Sequence, residues 1–291
     1  MTGPETAQSS DLLSPTEHSR DSARMHYIYP VVSRRAGGVS IGINLNTNNA
    51  CNWRCLYCQV PDLTRGSAPA VDLPLLEREL RDFLEQILDG DFMQRRVPPE
   101  ARHLNDIALS GNGEPTSPAE FAEVVDLIAR VRQDMQISDT VKTVLITNGS
   151  LIHRPAVQRG LKKLAEISGE VWFKLDRASE AGMRRVNDTE IRLSSVRQNL
   201  STALALCPLW IQTCWFALDG HAPSARDEDD YLDFLRELLA GGVRPGGVLL
   251  YGVARASSQP EASRLSNLTL AQLNAFAAKI SALGLAVKVT P

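Results

Sequence analysis

From Val39 to Thr290 the chain repeats one pattern about six times: a short β-rich apolar run, a loop, then an amphipathic stretch with apolar residues at helical spacing. The runs at 39–46, 106–110, 141–147, 170–176, 209–218, 247–255 and 285–290 read as strands, and those at 73–88, 118–135, 155–167, 194–206, 230–241 and 268–284 as helices. Strands that alternate with helices must pair in parallel, because only a helical crossover returns the chain to the same sheet edge, and such crossovers are right-handed. No composition break interrupts this stretch. The expected architecture is α/β, one domain over residues 26–291 forming a full or partial six-unit β/α barrel. In such a fold the reactive residues belong on the loops after the strands.

The first two dozen residues, MTGPETAQSSDLLSPTEHSRDSAR, are rich in Ser, Thr, Pro and charge, and residues 1–25 read as a disordered tail. They lack the basic start and apolar stretch of a secretory signal. Arg34-Arg35 precedes AGGVSIGINLN, which is too polar for an export signal. No run approaches the roughly 18 apolar residues of a membrane span, so no membrane partner is expected. Over 291 residues the net charge is −3, which gives no electrostatic footprint for DNA and leaves RNA open only through a local patch. Five cysteines without a signal peptide fit a reducing cytoplasm.

Three of those cysteines, Cys51, Cys55 and Cys58, lie in the run CNWRCLYC directly after the first predicted strand. Thiolates spaced C-x3-C-x2-C on one loop make a metal or cluster site rather than a disulfide framework. Zinc in a structural site takes four ligands, usually as two separated pairs, and no second pair stands nearby. Three sulfurs suit an iron–sulfur cube whose fourth iron lacks a protein ligand. The run SGNGEPT (110–116) follows the second strand, and its Gly111 and Gly113 permit close backbone approach.

The signature Cys51, Cys55, Tyr57, Cys58 together with Gly111, Asn112, Gly113 and Glu114 resembles the radical S-adenosylmethionine (SAM) superfamily. The resemblance implies a [4Fe-4S] cluster on the three cysteines and SAM chelated to the open iron. It implies reductive cleavage to a 5′-deoxyadenosyl radical, and hydrogen abstraction from a substrate that is a small molecule, a nucleoside or an RNA base. The glycine motif would meet the methionine end of SAM, with Glu114 or carbonyls beside it accepting from the ammonium. Tyr251 and Gly252 would lie near the adenine. An electron donor such as a flavodoxin or ferredoxin is implied. CNWRCLYC, LSGNGEPT and FKLD together most resemble the group that contains the wyosine-forming tRNA enzymes, over roughly residues 38–255. Some members of that group hold a second cluster through cysteines ahead of the signature, and here no cysteine precedes Cys51.

Other residues carry two readings each. Lys174 and Asp176 sit on one face of a predicted strand with Trp172. They are catalytic or SAM-contacting groups, or a structural ion pair. Asn148 is a turn residue or a cofactor contact. Gln212 shares a strand face with Cys214. Gln212 is a cofactor contact, Cys214 a substrate-side thiol or a small buried hydrophobe, and Cys207 is structural. Asp219 and His221 read as an acid–base pair or as a solvated loop. Alternatives to the enzyme reading are a non-catalytic iron–sulfur redox or sensor protein and, within the radical class, a glycyl-radical activating enzyme.

Overall fold

Eight strands form the central sheet of the computed structural model, which describes residues 12–13, 24–32 and 37–291. Apart from Leu12, Leu13, Arg24 and Met25, the expectations for residues 1–25, and those for Arg34-Arg35, lie outside the described residues. Leu13 is buried, and its N–H donates to the Arg96 carbonyl.

The strands are β1 (Ile28–Val32), β2 (Val39–Ile43), β3 (Leu104–Leu109), β4 (Lys142–Thr147), β5 (Gly169–Lys174), β6 (Leu209–Cys214), β7 (Val248–Tyr251) and β8 (Val287–Thr290). Their order across the sheet is their order along the chain. From β2 to β8 every pairing is parallel, so six crossovers join seven strands, as the alternation predicts. β1 was not expected. It pairs antiparallel with β2, Ile28 against Ile43 and Val32 against Val39. Pro30 makes the segment read poorly as a strand, but an edge strand tolerates a residue with no N–H to give.

The crossover helices are α1 (Leu73–Leu88), α2 (Phe121–Asp134), α3 (Pro155–Glu166), α4 (Glu180–Asn187), α5 (Leu193–Leu206), α6 (Ala225–Ala240) and α7 (Leu270–Ser281). The longer ones bury the stripe their period supplies. In α1 the buried residues are Leu76, Leu80, Phe83, Leu84 and Ile87. α6 begins five residues before the predicted start, because Ser224 and Asp227 close a capping box that takes the acidic run into the helix. The predicted strand 209–218 breaks at Trp215. Phe216–Leu218 leaves the sheet to pair antiparallel with Leu265–Asn267, while Trp215 stacks on Phe276 at 4.3 Å. α4 also went unpredicted. Its Ser179 cap accepts from the Gly182 N–H, and it stops at Asp188, whose φ of 48° is left-handed.

Phe173 and Leu175 pack in the core with the helices. The alternate residues of β5, Trp172 and Lys174, face the other way and line a cavity.

Candidate active site

That cavity has a volume of about 300 Å³ and is walled by the inner faces of the strands: Gly42, Ala108, Val144, Ile146, Trp172, Lys174, Gln212 and Tyr251. The cysteine loop, residues 110–114 and Asn148 form its rim at the C-terminal ends of β2, β3 and β4. The three loops expected to gather on one face therefore do so. Cys51, Cys55 and Cys58 are each half-buried and all reach the cavity.

The cysteine loop has no long regular element of its own, so its shape comes from what grips it. Arg54 and Leu56 donate their backbone N–H groups to the carbonyls of Asn187 and Val186 at the end of α4. On the opposite side the Ser257 hydroxyl shares its one proton between the Leu56 and Cys58 carbonyls, at 2.7 and 3.0 Å. The Arg54 guanidinium spans Asp188 at 3.1 Å and Glu261 at 2.9 Å. Two sulfurs already face donors: the Trp53 N–H lies 3.5 Å from Cys51 Sγ, and Asn187 Nδ2 lies 3.2 Å from Cys55 Sγ. Burial pushes the Cys51 thiol up to about 11 and the Cys55 thiol up to about 12, so metal-free both are neutral at pH 7. Among the described residues no three His, Cys, Asp or Glu side chains are placed to share a single ion. Thiols spread along a rim suit a cluster, in which each binds its own iron.

The glycines of the motif line the cavity and also let their loop pack closely. A Cβ on Gly113 would overlap the Ala50 carbonyl and the Asn46 amide, and one on Gly111 would overlap Asn44. The glycines let the 110–116 loop lie directly against the segment that leads into Cys51. Asn44 Oδ1 accepts from the Asn112 N–H at 2.9 Å, and Asn112 Nδ2 donates to Asn49 at 2.7 Å. Glu114 is buried and accepts four hydrogen bonds, from Thr116 Oγ1 and Thr147 Oγ1 at 2.5 Å, Thr116 N at 3.1 Å and Asn148 N at 2.8 Å. Burial raises its pKa and those four donors pull against the rise. Its carboxylate ties the β3 loop to the end of β4. Asn148 continues the tie, donating to Asn52 at 2.9 Å and accepting from the Ser150 hydroxyl at 2.7 Å.

Lys174 and Asp176 part company. β5 ends at Lys174, so the alternation does not carry Asp176 into the cavity. Its buried carboxylate turns to Tyr57 Oη at 2.5 Å, Asn187 Nδ2 at 2.6 Å and the Cys214 N–H at 2.8 Å. Lys174 does reach the cavity, with Nζ 3.4 Å from Tyr57 Oη and 3.3 Å from Tyr251 Oη. Burial opposes its charge, but Tyr251, Asp176, Cys55 and Cys214 outweigh burial and hold its pKa above the ordinary lysine value. Gln212 is only 1% exposed, and its Oε1 has no hydrogen-bond partner. Cys214 also lines the cavity, whereas Cys207 is buried against the Gly169 carbonyl. Gly252 is not brought to the cavity wall. It donates to the Thr290 carbonyl and faces Asn267, while Val253, Ala254 and Arg255 take the lining positions. Asp219 pairs with Arg264 at 2.8 Å on the surface. Asn187 and Gln59 were missed, since nothing local in the sequence marks them.

No protein-family model matches the chain. A UPF0026 protein of Helicobacter pylori is 25% identical over 185 residues, 61% of this chain and 54% of that protein. A UPF0026 protein of Synechocystis is 25% identical over 164 residues, 55% of this chain and 52% of that protein. The chain spans about half the length of the curated relatives it matches. Among solved structures, TYW1 with a lysine–pyruvate adduct bound superposes with a TM-score of 0.56 at 14% identity, covering 94% of this chain and 80% of that one. SuiB of Streptococcus suis gives 0.56 at 12% identity, covering 88% and 49%. A radical SAM methyltransferase of Sphaerobacter thermophilus gives 0.55 at 14% identity, covering 91% and 70%. At these identities the likeness is one of fold. A largely parallel sheet strung in chain order, walling a cavity with the three-cysteine loop at its mouth, gives this chain the fold of the radical SAM enzymes.

Proposed function

We propose that the chain is a radical SAM enzyme that holds a [4Fe-4S] cluster through Cys51, Cys55 and Cys58 and binds SAM in the cavity beside it. The observation that carries this reading is the meeting of three cysteines, two of them facing N–H donors, with a cavity that contains an unpartnered buried carbonyl oxygen on Gln212. An N–H aimed at sulfur is the right sign for a thiolate ligand. A buried acceptor that meets no donor from the chain and lines a cavity is open to a ligand's N–H or O–H. Bound there, the cluster would supply the electron that breaks the sulfonium C–S bond of SAM, and the resulting 5′-deoxyadenosyl radical would take a hydrogen atom from substrate.

The chain's own residues orient and exclude. Lys174 presents a fixed cation to the cavity and suits the SAM carboxylate or the charge of the thiolates. Tyr57 and Tyr251 position it, and Asn112 and Gln212 offer polar contacts to SAM. Glu114, Asn148 and Asp176 act by holding the loops and not by touching ligand. Gly252 contributes no contact. Val144, Ile146 and Trp172 keep the chamber apolar, which protects a reactive radical from solvent. The substrate classes are a small molecule, a nucleoside or an RNA base, and a flavodoxin or ferredoxin in a reducing cytoplasm would deliver the electron.

Anaerobically reconstituted protein with SAM and dithionite should form 5′-deoxyadenosine, and a Cys55→Ala control should form none. An intact four-iron cluster that yields no 5′-deoxyadenosine with any candidate substrate would return the chain to the redox or sensor reading.

A further inference from the structure

Asn187 ends α4 and is 1% exposed, yet its side chain faces the cysteine loop and not the helix bundle. Its Nδ2 carries two N–H bonds and both are committed, one to Asp176 Oδ2 at 2.6 Å and one to Cys55 Sγ at 3.2 Å. Asp176 cannot yield, because Tyr57 Oη and the Cys214 N–H fix the same carboxylate. The Asn187 carbonyl accepts from the Arg54 N–H, next to Cys55. Turning the amide over would set its oxygen against the Asp176 carboxylate, so the donor orientation is the one the site permits. Cys51 has a backbone N–H at 3.5 Å, and Asn52 offers that sulfur an oxygen and not a nitrogen.

We propose that Asn187 is a residue whose side chain raises the reduction potential of this protein's cluster. The inference rests on the cluster-binding reading above. When [4Fe-4S]2+ takes one electron from an external reductant to become [4Fe-4S]1+, part of the added negative charge falls on the ligand sulfurs. A hydrogen bond to one of them stabilises the reduced form more than the oxidised form, and hydrogen bonds to sulfur are one of the levers by which proteins set such potentials. Asp176 is then a positioning residue: it aims the amide. α4 exists in the crossover to bring this amide to a sulfur 132 residues earlier in the chain.

The test is an EPR-monitored redox titration of anaerobically reconstituted wild type and Asn187→Leu, with iron and sulfide measured on the same samples. The variant should keep its iron and show a midpoint displaced to more negative potential. A midpoint equal to wild type at full iron occupancy would overturn the inference. Because the variant could lose its cluster, a second measurement uses the native sequence alone. Pulsed EPR on the reduced cluster of protein labelled with 15N in its asparagine side chains should show a 15N coupling, and its absence would equally overturn the inference. A wild type that takes up no four-iron cluster would sink the functional reading itself. One that cleaves SAM while the variant keeps the wild-type potential would sink only the role of Asn187.

Discussion

Glu114 shows how a motif residue can matter through the loops it ties together. Its carboxylate accepts from two hydroxyls and two backbone N–H groups. The hydroxyls can rotate to accept instead, but the N–H groups of Thr116 and Asn148 cannot. In Glu114→Gln one carboxylate oxygen becomes an NH2, which faces a backbone N–H whichever way the amide is turned. One buried donor is left unmet, at a cost of about 1–3 kcal/mol. Urea melts of metal-free protein should show that loss with no SAM present. An unchanged midpoint would move Glu114 from loop tie to ligand contact. Gly113→Ala makes a parallel case: the added Cβ meets the Ala50 carbonyl, and backbone must shift at about 1–3 kcal/mol. It should lower both the melt and the iron bound after reconstitution. The sequence announced that glycines were needed here, because only a residue without Cβ lets two loops close. It did not announce which backbone they close upon, since Asn44, Asn46 and Ala50 are ordinary residues until the sheet brings them beside the motif.

Among the elements, those with a full period were legible. The stripe of α1 and the apolar runs of β3, β4 and β5 identify themselves, because burial of one face writes itself into the spacing. α4 does not. It is eight residues long, and its EAGMRRVN reads as a charged connection. Trp215 is hidden for a different reason: WIQTCWFAL reads as strand on both sides of it, so nothing local marks where β6 ends and the chain turns toward Leu265–Asn267. Yet α4 is the element that grips the cysteine loop, through the Val186 and Asn187 carbonyls and through Asp188. Hydrogen bonds from Arg54 lower the pKa of Glu261. At Asp188 burial resists the charge, but Arg54 and Arg65 outweigh it. A carboxylate whose folded pKa is lowered stabilises the fold above its unfolded pKa, near 4, and the contribution fades as pH falls through the lowered value. These pairs are partly exposed, so each is worth about 0–1 kcal/mol. Arg54→Ala removes both at once. Amide exchange at Arg54 and Leu56, whose N–H groups bond to α4, should quicken several-fold at neutral pH, while exchange in β4 and β5 should stay unchanged. Equal protection in the variant would mean that the Ser257 contacts hold the loop alone.

For the molecule as a whole, the cavity sets stability against function. A chain that buried every apolar residue and matched every polar atom would have no reason to leave Gln212 Oε1 alone inside its barrel. In the ligand-free protein that oxygen meets no donor from the chain itself. Gln212→Met keeps the length of the side chain and removes the unmet acceptor. It should therefore stabilise the metal-free protein by about 1 kcal/mol, which is about 2 °C in melting temperature for a domain of this size. With cluster and SAM present the balance should reverse. SAM raises the melting temperature by binding the folded state, and the variant should show a smaller rise than wild type, because the N–H or O–H that Gln212 accepts from has lost its partner. Calorimetric scans of the metal-free protein, and of the cluster-loaded protein with and without SAM, give both numbers. A variant less stable than wild type without SAM would mean that the oxygen is satisfied inside the protein. A variant with the wild-type SAM response would hand Gln212 to the substrate, whose donor group it would then define.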